Sequence, residues 1–217
     1  MGCCQAGTIY YSDKTLPTDA KRLQHLDTTR SKFYMDSRER FWKIHTEPSS
    51  IEIGQMFQNN CFIVGMKTHP HILKPLQVSS VSALSISITM PLASEDLFCI
   101  MSKPFDCEWI SDQLMGIVDA IHTLHQSGRA HRDIKPENIV KHKGKLKLID
   151  FDFCYPLSVL AHCGTPYFKC PIAMTEKWLL PVEEKSKKMD VYGFGKLIMS
   201  ILWQAPGHNV IQNRIFA

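Results

Sequence analysis

HRDIKPENIV (residues 131–140), followed by LIDFDF (148–153), decides the fold of this 217-residue chain. Two carboxylates and an amide, Asp133, Asn138 and Asp150, fall on short connections beside the strand-like runs IVKHK and KLKLIDF, which bracket Gly144. Rigid strands can hold such side chains convergent. Hard oxygen donors of this kind suit magnesium, which takes few protein ligands and keeps waters or phosphate oxygens for its other positions. Asp133 is then placed to accept a proton from a hydroxyl nucleophile.

Upstream, Ile110, Leu114, Ile117, Val118, Ile121 and Leu124 recur at intervals of three and four and stop at Gly128, which predicts a helix with a glycine C-cap. Downstream, Asp190 precedes VYGFGKLIMSILW, a nearly all-apolar helix that must be buried on most sides, with Asp190 at its start. Leu84, Ile86, Ile88 and Met90 alternate with Ser or Thr, the period of a half-buried strand, and residues 53–66 have helical apolar spacing. KFYMDSRERFWKI (32–44) reads as two strands around a turn at 36–39. Strands and one helix followed by a mostly helical half make an α+β chain of two lobes, with a boundary near 91–96. The expected division is an N-terminal segment (1–31), a small lobe (32–90) and a large lobe (91–217).

Charge and cysteine usage exclude several classes. Twenty-five Lys and Arg against 21 Asp and Glu give only +4, and the basic clusters at 141–147 and 185–188 read as solvated surface, so no nucleic-acid partner is expected. Eight cysteines without a C-x-x-C pair argue against zinc or a secreted disulfide framework, and a reducing, cytoplasmic compartment fits. His122 and His125 share a helix side with no acidic or Cys partner nearby in sequence, so ordinary surface or core roles are expected rather than metal binding. The uncharged run 77–94 is too rich in serine to span a membrane, and no secretory signal opens the chain.

HRDIKPEN and DFD resemble the catalytic loop H-R-D-x-x-x-x-N and the D-F-G motif of eukaryotic-type protein kinases. The resemblance extends to HCGTPYFKCPI (162–172), similar to the end of a kinase activation segment, and to DVYGFG (190–195), similar to the D-x-W-x-x-G start of the helix that anchors the catalytic loop. WISDQLMGIVDAIHTLHQSGRA resembles the long helix that runs into that loop. The resemblance implies a bilobal kinase-like fold using ATP and Mg2+, with Asp133 as catalytic base and Lys135 stabilising the transferring phosphoryl group, the lysine of serine/threonine kinases. It implies Asp150 and Asn138 as metal ligands. Arg132 is expected to bind a phosphate on the activation segment, with Ser158 and Thr165 as the residues phosphorylated, although Thr165 also fits the threonine that touches the catalytic loop.

The upstream half matches less closely. RFWKI stands where V-A-I-K belongs, which makes Lys43 the lysine for the α- and β-phosphates; HPHIL resembles the segment after the small-lobe helix and places Asn60 where that helix carries a glutamate. An amide can hydrogen-bond Lys43 but cannot neutralise it. ITMPLASEDLF takes the place of the hinge, with Met90 behind the adenine, Leu92 in the hinge backbone and Asp96 near the ribose. Three further departures are Asp152 for the D-F-G glycine, Ile172 for the A-P-E glutamate, and a large lobe expected to be C-terminally truncated and to lack the late helices. Such reduced kinases are similar to those of large DNA viruses, herpesviruses among them.

Two functions follow. One is a minimal serine/threonine kinase acting on protein substrates; the other is a pseudokinase that binds or decoys a partner kinase. The opening MGCCQAGTI offers two readings: a relic glycine loop, for which LDTTRSKF (26–33) is the alternative position, or an acylation signal using Gly2, Cys3 and Cys4 for membrane attachment.

Overall fold

Asp36 shows how side-chain chemistry builds the first sheet. Its carboxylate accepts from the Arg38 and Arg40 amides (2.9 and 3.0 Å), from Arg40 Nε (2.7 Å) and from Trp42 Nε1 (2.9 Å). These bonds fold the 36–39 turn between strands β2 (Ser31–Met35) and β3 (Arg40–Thr46), as the sequence predicts. The computed structural model describes residues 16–47, 49–161, 163–171 and 180–204; Gly2, Cys3, Cys4 and Ile172 lie outside them. The chain divides into two compact units, a first that contains residues up to His69 together with Leu73–Leu92, and a second that contains Pro70–Ile72 and residues from Ala93 onward.

The first unit is a five-stranded antiparallel sheet. Strand β1 (Lys21–Arg22) pairs with β2, and β4 (Gln77–Ser82) and β5 (Ser85–Pro91) complete the order β1-β2-β3-β5-β4. Helix α1 (Ser50–Gly65) begins at a capping box: the Ser49 hydroxyl accepts from the Glu52 amide (3.4 Å), with Glu52 in the first turn. It packs Ile53 and Met56 on Val78, Ile86, Ile88 and Met90. Strand β5 departs from the half-buried expectation, because all of Ser85 to Met90 are buried. Helix α1 packs over Ile86, Ile88 and Met90 on one face, and β5 is the strand between β3 and β4, so its serines and threonine on the other face are also largely withdrawn from water.

In the second unit, β6 (Glu95–Asp96), β7 (Ile139–His142) and β8 (Lys145–Leu148) form a small antiparallel sheet. Asp96 caps the short helix α2 (Leu97–Met101). Helix α3 (Cys107–Gln126) is capped by Asp106, buries Ile110, Leu114, Ile117, Ala120, Ile121 and Leu124, and ends just before Gly128 at φ +77°. Each such aliphatic side chain fully withdrawn from water contributes about 1.5–3 kcal/mol. Gly116 lets residues 70–72 reach α3: a Cβ there would lie 2.2 Å from the His71 ring. The ring in turn meets the Leu146 carbonyl through Nδ1 (2.8 Å), and the Leu148 amide donates to the His71 carbonyl (2.8 Å).

Helix α4 (Val182–Gln204) differs from expectation in two ways. It starts eight residues before Asp190, which therefore sits inside the helix, fully buried, with its carboxylate turned to the loop at 131–132. It is also buried on one face only: Met189, Gly193, Leu197 and Ile201 are covered, while Val191, Met199, Leu202 and Trp203 are exposed.

Candidate active site

The loop 131–138 is built from its buried supports outward. Asp190 accepts from the His131 amide (2.9 Å), the Arg132 amide (2.6 Å) and His125 Nε2 (2.8 Å). His125 thus has an acidic partner 65 residues away, which its sequence neighbours do not reveal. His131 Nε2 faces the Ile149 carbonyl (2.8 Å); a carbonyl only accepts, so Nε2 carries the proton and Nδ1 accepts the Asp133 amide (3.3 Å). Gly193 brings α4 against the loop, since a Cβ there would stand 3.1 Å from the Ile134 carbonyl.

Asp133 is oriented on both oxygens. Oδ1 accepts from the Thr165 amide (2.8 Å), and Oδ2 accepts from Asn138 Nδ2 (3.0 Å) and pairs with Lys135 Nζ (3.1 Å). Lys135 Nζ also donates to the Thr165 hydroxyl (2.8 Å). Thr165 is therefore the threonine that touches the catalytic loop. Its approach depends on Gly164 at φ +98°, where a Cβ would meet the Arg132 carbonyl at 2.4 Å. A side chain there is excluded by both space and backbone conformation.

Asn138 and Asp150 extend from the same end of the β7–β8 ladder. Ile139 and Leu148 are partners in register, so the residues flanking them leave the sheet side by side, and the Ile149 amide donates to the Asn138 carbonyl (2.9 Å). Asn138 Nδ2 donates to the Asp133 carbonyl (2.8 Å) as well as its carboxylate, which turns the amide oxygen toward the other side. Asp150 is held at φ +63°, a left-handed conformation that a non-glycine residue adopts only where its surroundings impose it. One amide oxygen and one carboxylate are hard donors, and they fit magnesium.

Arg132 corrects an expectation. Instead of awaiting a phosphate, its guanidinium is buried at 3% exposure and donates to main-chain carbonyls: NH1 to Tyr155 (2.9 Å), NH2 to Pro156 (2.9 Å) and Val159 (2.6 Å). NH2 also donates to the Ser186 hydroxyl (2.9 Å), which donates on to the Leu157 carbonyl (3.0 Å). Burial pulls the guanidinium below its usual pKa. The same burial pushes the nearby Cys154 and Cys163 thiols up to about 12 and about 11. Ser186 does not stand out in the sequence. Its signal was present, because it lies four residues before Asp190 on the same helix face.

The remaining candidates belong to the first unit, apart from Asp96 and Asp152. Lys43 is 8% exposed and lies on the sheet face that packs on α1, paired in register with Phe33 and Ile88. Asn60 is buried on α1, and its Nδ2 donates to the Met56 carbonyl (3.0 Å) of its own helix. Met90 belongs to the apolar cluster beneath α1. The amide of Leu92, in the expected hinge, donates to the Glu39 carbonyl (3.1 Å), with Glu39 at φ +55° folding the hairpin turn back toward it. Asp96 Oδ1 accepts the Cys99 amide (2.7 Å) as the α2 cap. Asp152 is buried at 4% exposure directly after Phe151. Between β1 and β2, where a phosphate loop would lie, residues 23–30 contain no glycine; Thr28 Oγ1 accepts the Ser31 amide (2.9 Å) and Asp27 the Phe33 amide (3.1 Å).

Comparison with known proteins points to protein kinases. The chain is 35% identical over 120 residues to a probable serine/threonine-protein kinase (fhkE) of Dictyostelium discoideum, covering 50% of this chain and 17% of that protein. It is 32% identical over 143 residues to the serine/threonine-protein kinase kin-29 of Caenorhabditis briggsae (63% and 17%). It is 28% identical over 123 residues to a dual serine/threonine and tyrosine protein kinase of Gallus gallus (55% and 12%). The chain thus matches less than a fifth of the length of each of these relatives. The family model of the protein kinase domain matches residues 42–214, a span that holds Lys43, Asp133, Asn138 and Asp150, and the chain belongs to that family.

Proposed function

We propose that the chain transfers the terminal phosphoryl group of ATP to serine or threonine hydroxyls of protein substrates. The observation that carries this reading is the fixed carboxylate of Asp133, held by the Thr165 amide and Asn138 while Lys135 bridges it to the Thr165 hydroxyl. A base held at two oxygens presents its remaining lone pairs in one direction, which is what proton abstraction from a substrate hydroxyl needs. Lys135, within reach of the same carboxylate, supplies a positive charge where negative charge develops. Asn138 and Asp150 would hold magnesium, which when bound neutralises phosphate oxygens and fixes their position. By the same family resemblance, Lys43 would supply a cation for the nucleotide phosphates. Phosphate transfer from γ-labelled ATP to mixed protein substrates, followed by identification of the labelled amino acid, tests this. Label on serine or threonine supports it, and label on tyrosine alone contradicts the acceptor class.

One observation favours a second reading, a pseudokinase that binds a partner kinase. The α1 position that should carry a carboxylate holds Asn60, whose amide donates into its own helix. Absence of a thermal shift with magnesium-ATP, together with absence of label transfer, would select this reading.

A further inference from the structure

The outer face of the first unit's sheet, opposite the face that bears Lys43, holds a cavity of about 460 Å³. Neighbouring residues of a strand point to opposite faces, so Lys43 turns toward α1 while Ile44 turns away. Lys32, Ile44 and Ser87 are partners in register across β2, β3 and β5 and form one continuous row of this outer face. All three line the cavity, and Leu16 and Val81 extend its apolar wall.

Two features mark it as more than a surface dip. Ser87 is 7% exposed, lines the cavity, and its hydroxyl is buried without a hydrogen-bond partner among the described residues. Buried hydroxyls ordinarily have a partner, so one without any, on a residue that lines a cavity, marks a place for a ligand atom. The charge is also one-sided. Arg30 and Lys32 line the cavity, and no carboxylate does among the described residues. Arg30 is held by Glu47 (2.5 Å), which leaves exposed Lys32 as the cation facing a ligand.

We propose that this cavity binds a small amphipathic carboxylate, its apolar body against Ile44 and Val81, its anionic group at Lys32, and a polar atom at the Ser87 hydroxyl. An apolar wall with a few placed polar groups, and a volume in the range of small-ligand pockets, is the ordinary form of such a site. The proposal does not depend on catalysis, since Lys43 lies on the opposite face of the sheet and the 131–150 residues belong to the second unit.

The test is NMR titration of the full chain with 2-naphthoate, and with uncharged 2-naphthol as control. Expected are shifts at the amides of 30–34, 44–46 and 87, affinity for naphthol about tenfold weaker, and a similar loss for naphthoate on Lys32→Glu. Ser87→Val, which removes the hydroxyl and fills the space, should abolish binding. If that variant does not fold, Lys32→Glu, at an exposed position, decides alone. No shift at millimolar naphthoate, affinity unchanged by Lys32→Glu, or displacement of naphthoate by magnesium-ATP each overturns the proposal.

Discussion

Single residues in this chain are constrained by what surrounds them more than by their own chemistry. Gly116 is the clearest case. Gly116→Val would drive a side chain into the His71 ring, which a Cβ alone would already approach to 2.2 Å. Overpacking of this kind costs about 1–3 kcal/mol, read as a lower midpoint in urea denaturation, with Gly116→Ala at the low end. Asp36 makes a pH prediction. Burial raises its pKa, but hydrogen bonds from Trp42, Arg40 and Arg38 outweigh that and hold it at about 2, below the ordinary 3.8. A depressed carboxylate stabilises the fold fully above its unfolded value, and this contribution is lost as pH falls from about 4 toward about 2. Asp36→Asn should flatten that part of the stability profile measured by denaturation between pH 5 and pH 2, values chosen to span the window roughly. A variant profile parallel to wild type would show that the carboxylate has no such role.

Among the elements, the segment 153–159 depends on Arg132 and Ser186. Three donations from the guanidinium and one from the Ser186 hydroxyl, itself bonded to Arg132, hold its backbone carbonyls. Phosphatase treatment should therefore leave its protease resistance unchanged. Arg132→Lys keeps the charge and loses the fork, and should destabilise by about 1–3 kcal/mol while opening this segment to limited proteolysis. A phosphatase-sensitive segment would return Arg132 to the role of phosphate binder. Asp190 is the corresponding support on α4. Its replacement by Ala strands the His131 and Arg132 amides in the interior and should cost about 3–5 kcal/mol in equilibrium unfolding.

Across the molecule, legibility followed chemistry. Asp133, Asn138 and Asp150 stand out in the sequence because the phosphoryl transfer proposed for this loop needs particular atoms at particular spacings. The helix over 107–126 and the hairpins at 36–39 and 143–144 could be found because periodicity and turn residues are local. Hidden were interactions that depend on long-range closure: Asp190 inside α4 rather than at its start, His125 paired with it, and the burial of β5 along its whole length. None of these leaves a local pattern. In the first unit no glycine marks the β1–β2 connection, which side chains of Asp27 and Thr28 hold. Magnesium-ATP near a hundred times its Kd should stabilise the chain by about 2.7 kcal/mol, seen as a rise in Tm, and Asp150→Ala should remove most of that rise.

Everything proposed for catalysis turns on Asp133 serving as the base for phosphoryl transfer. The rate of label transfer from γ-labelled ATP by wild type beside Asp133→Asn, with both proteins shown to melt alike, decides it. Measurable transfer by wild type and a fall of about 10²–10⁴-fold in the variant are expected. Equal rates in the two proteins, or no transfer by either, would refute that role.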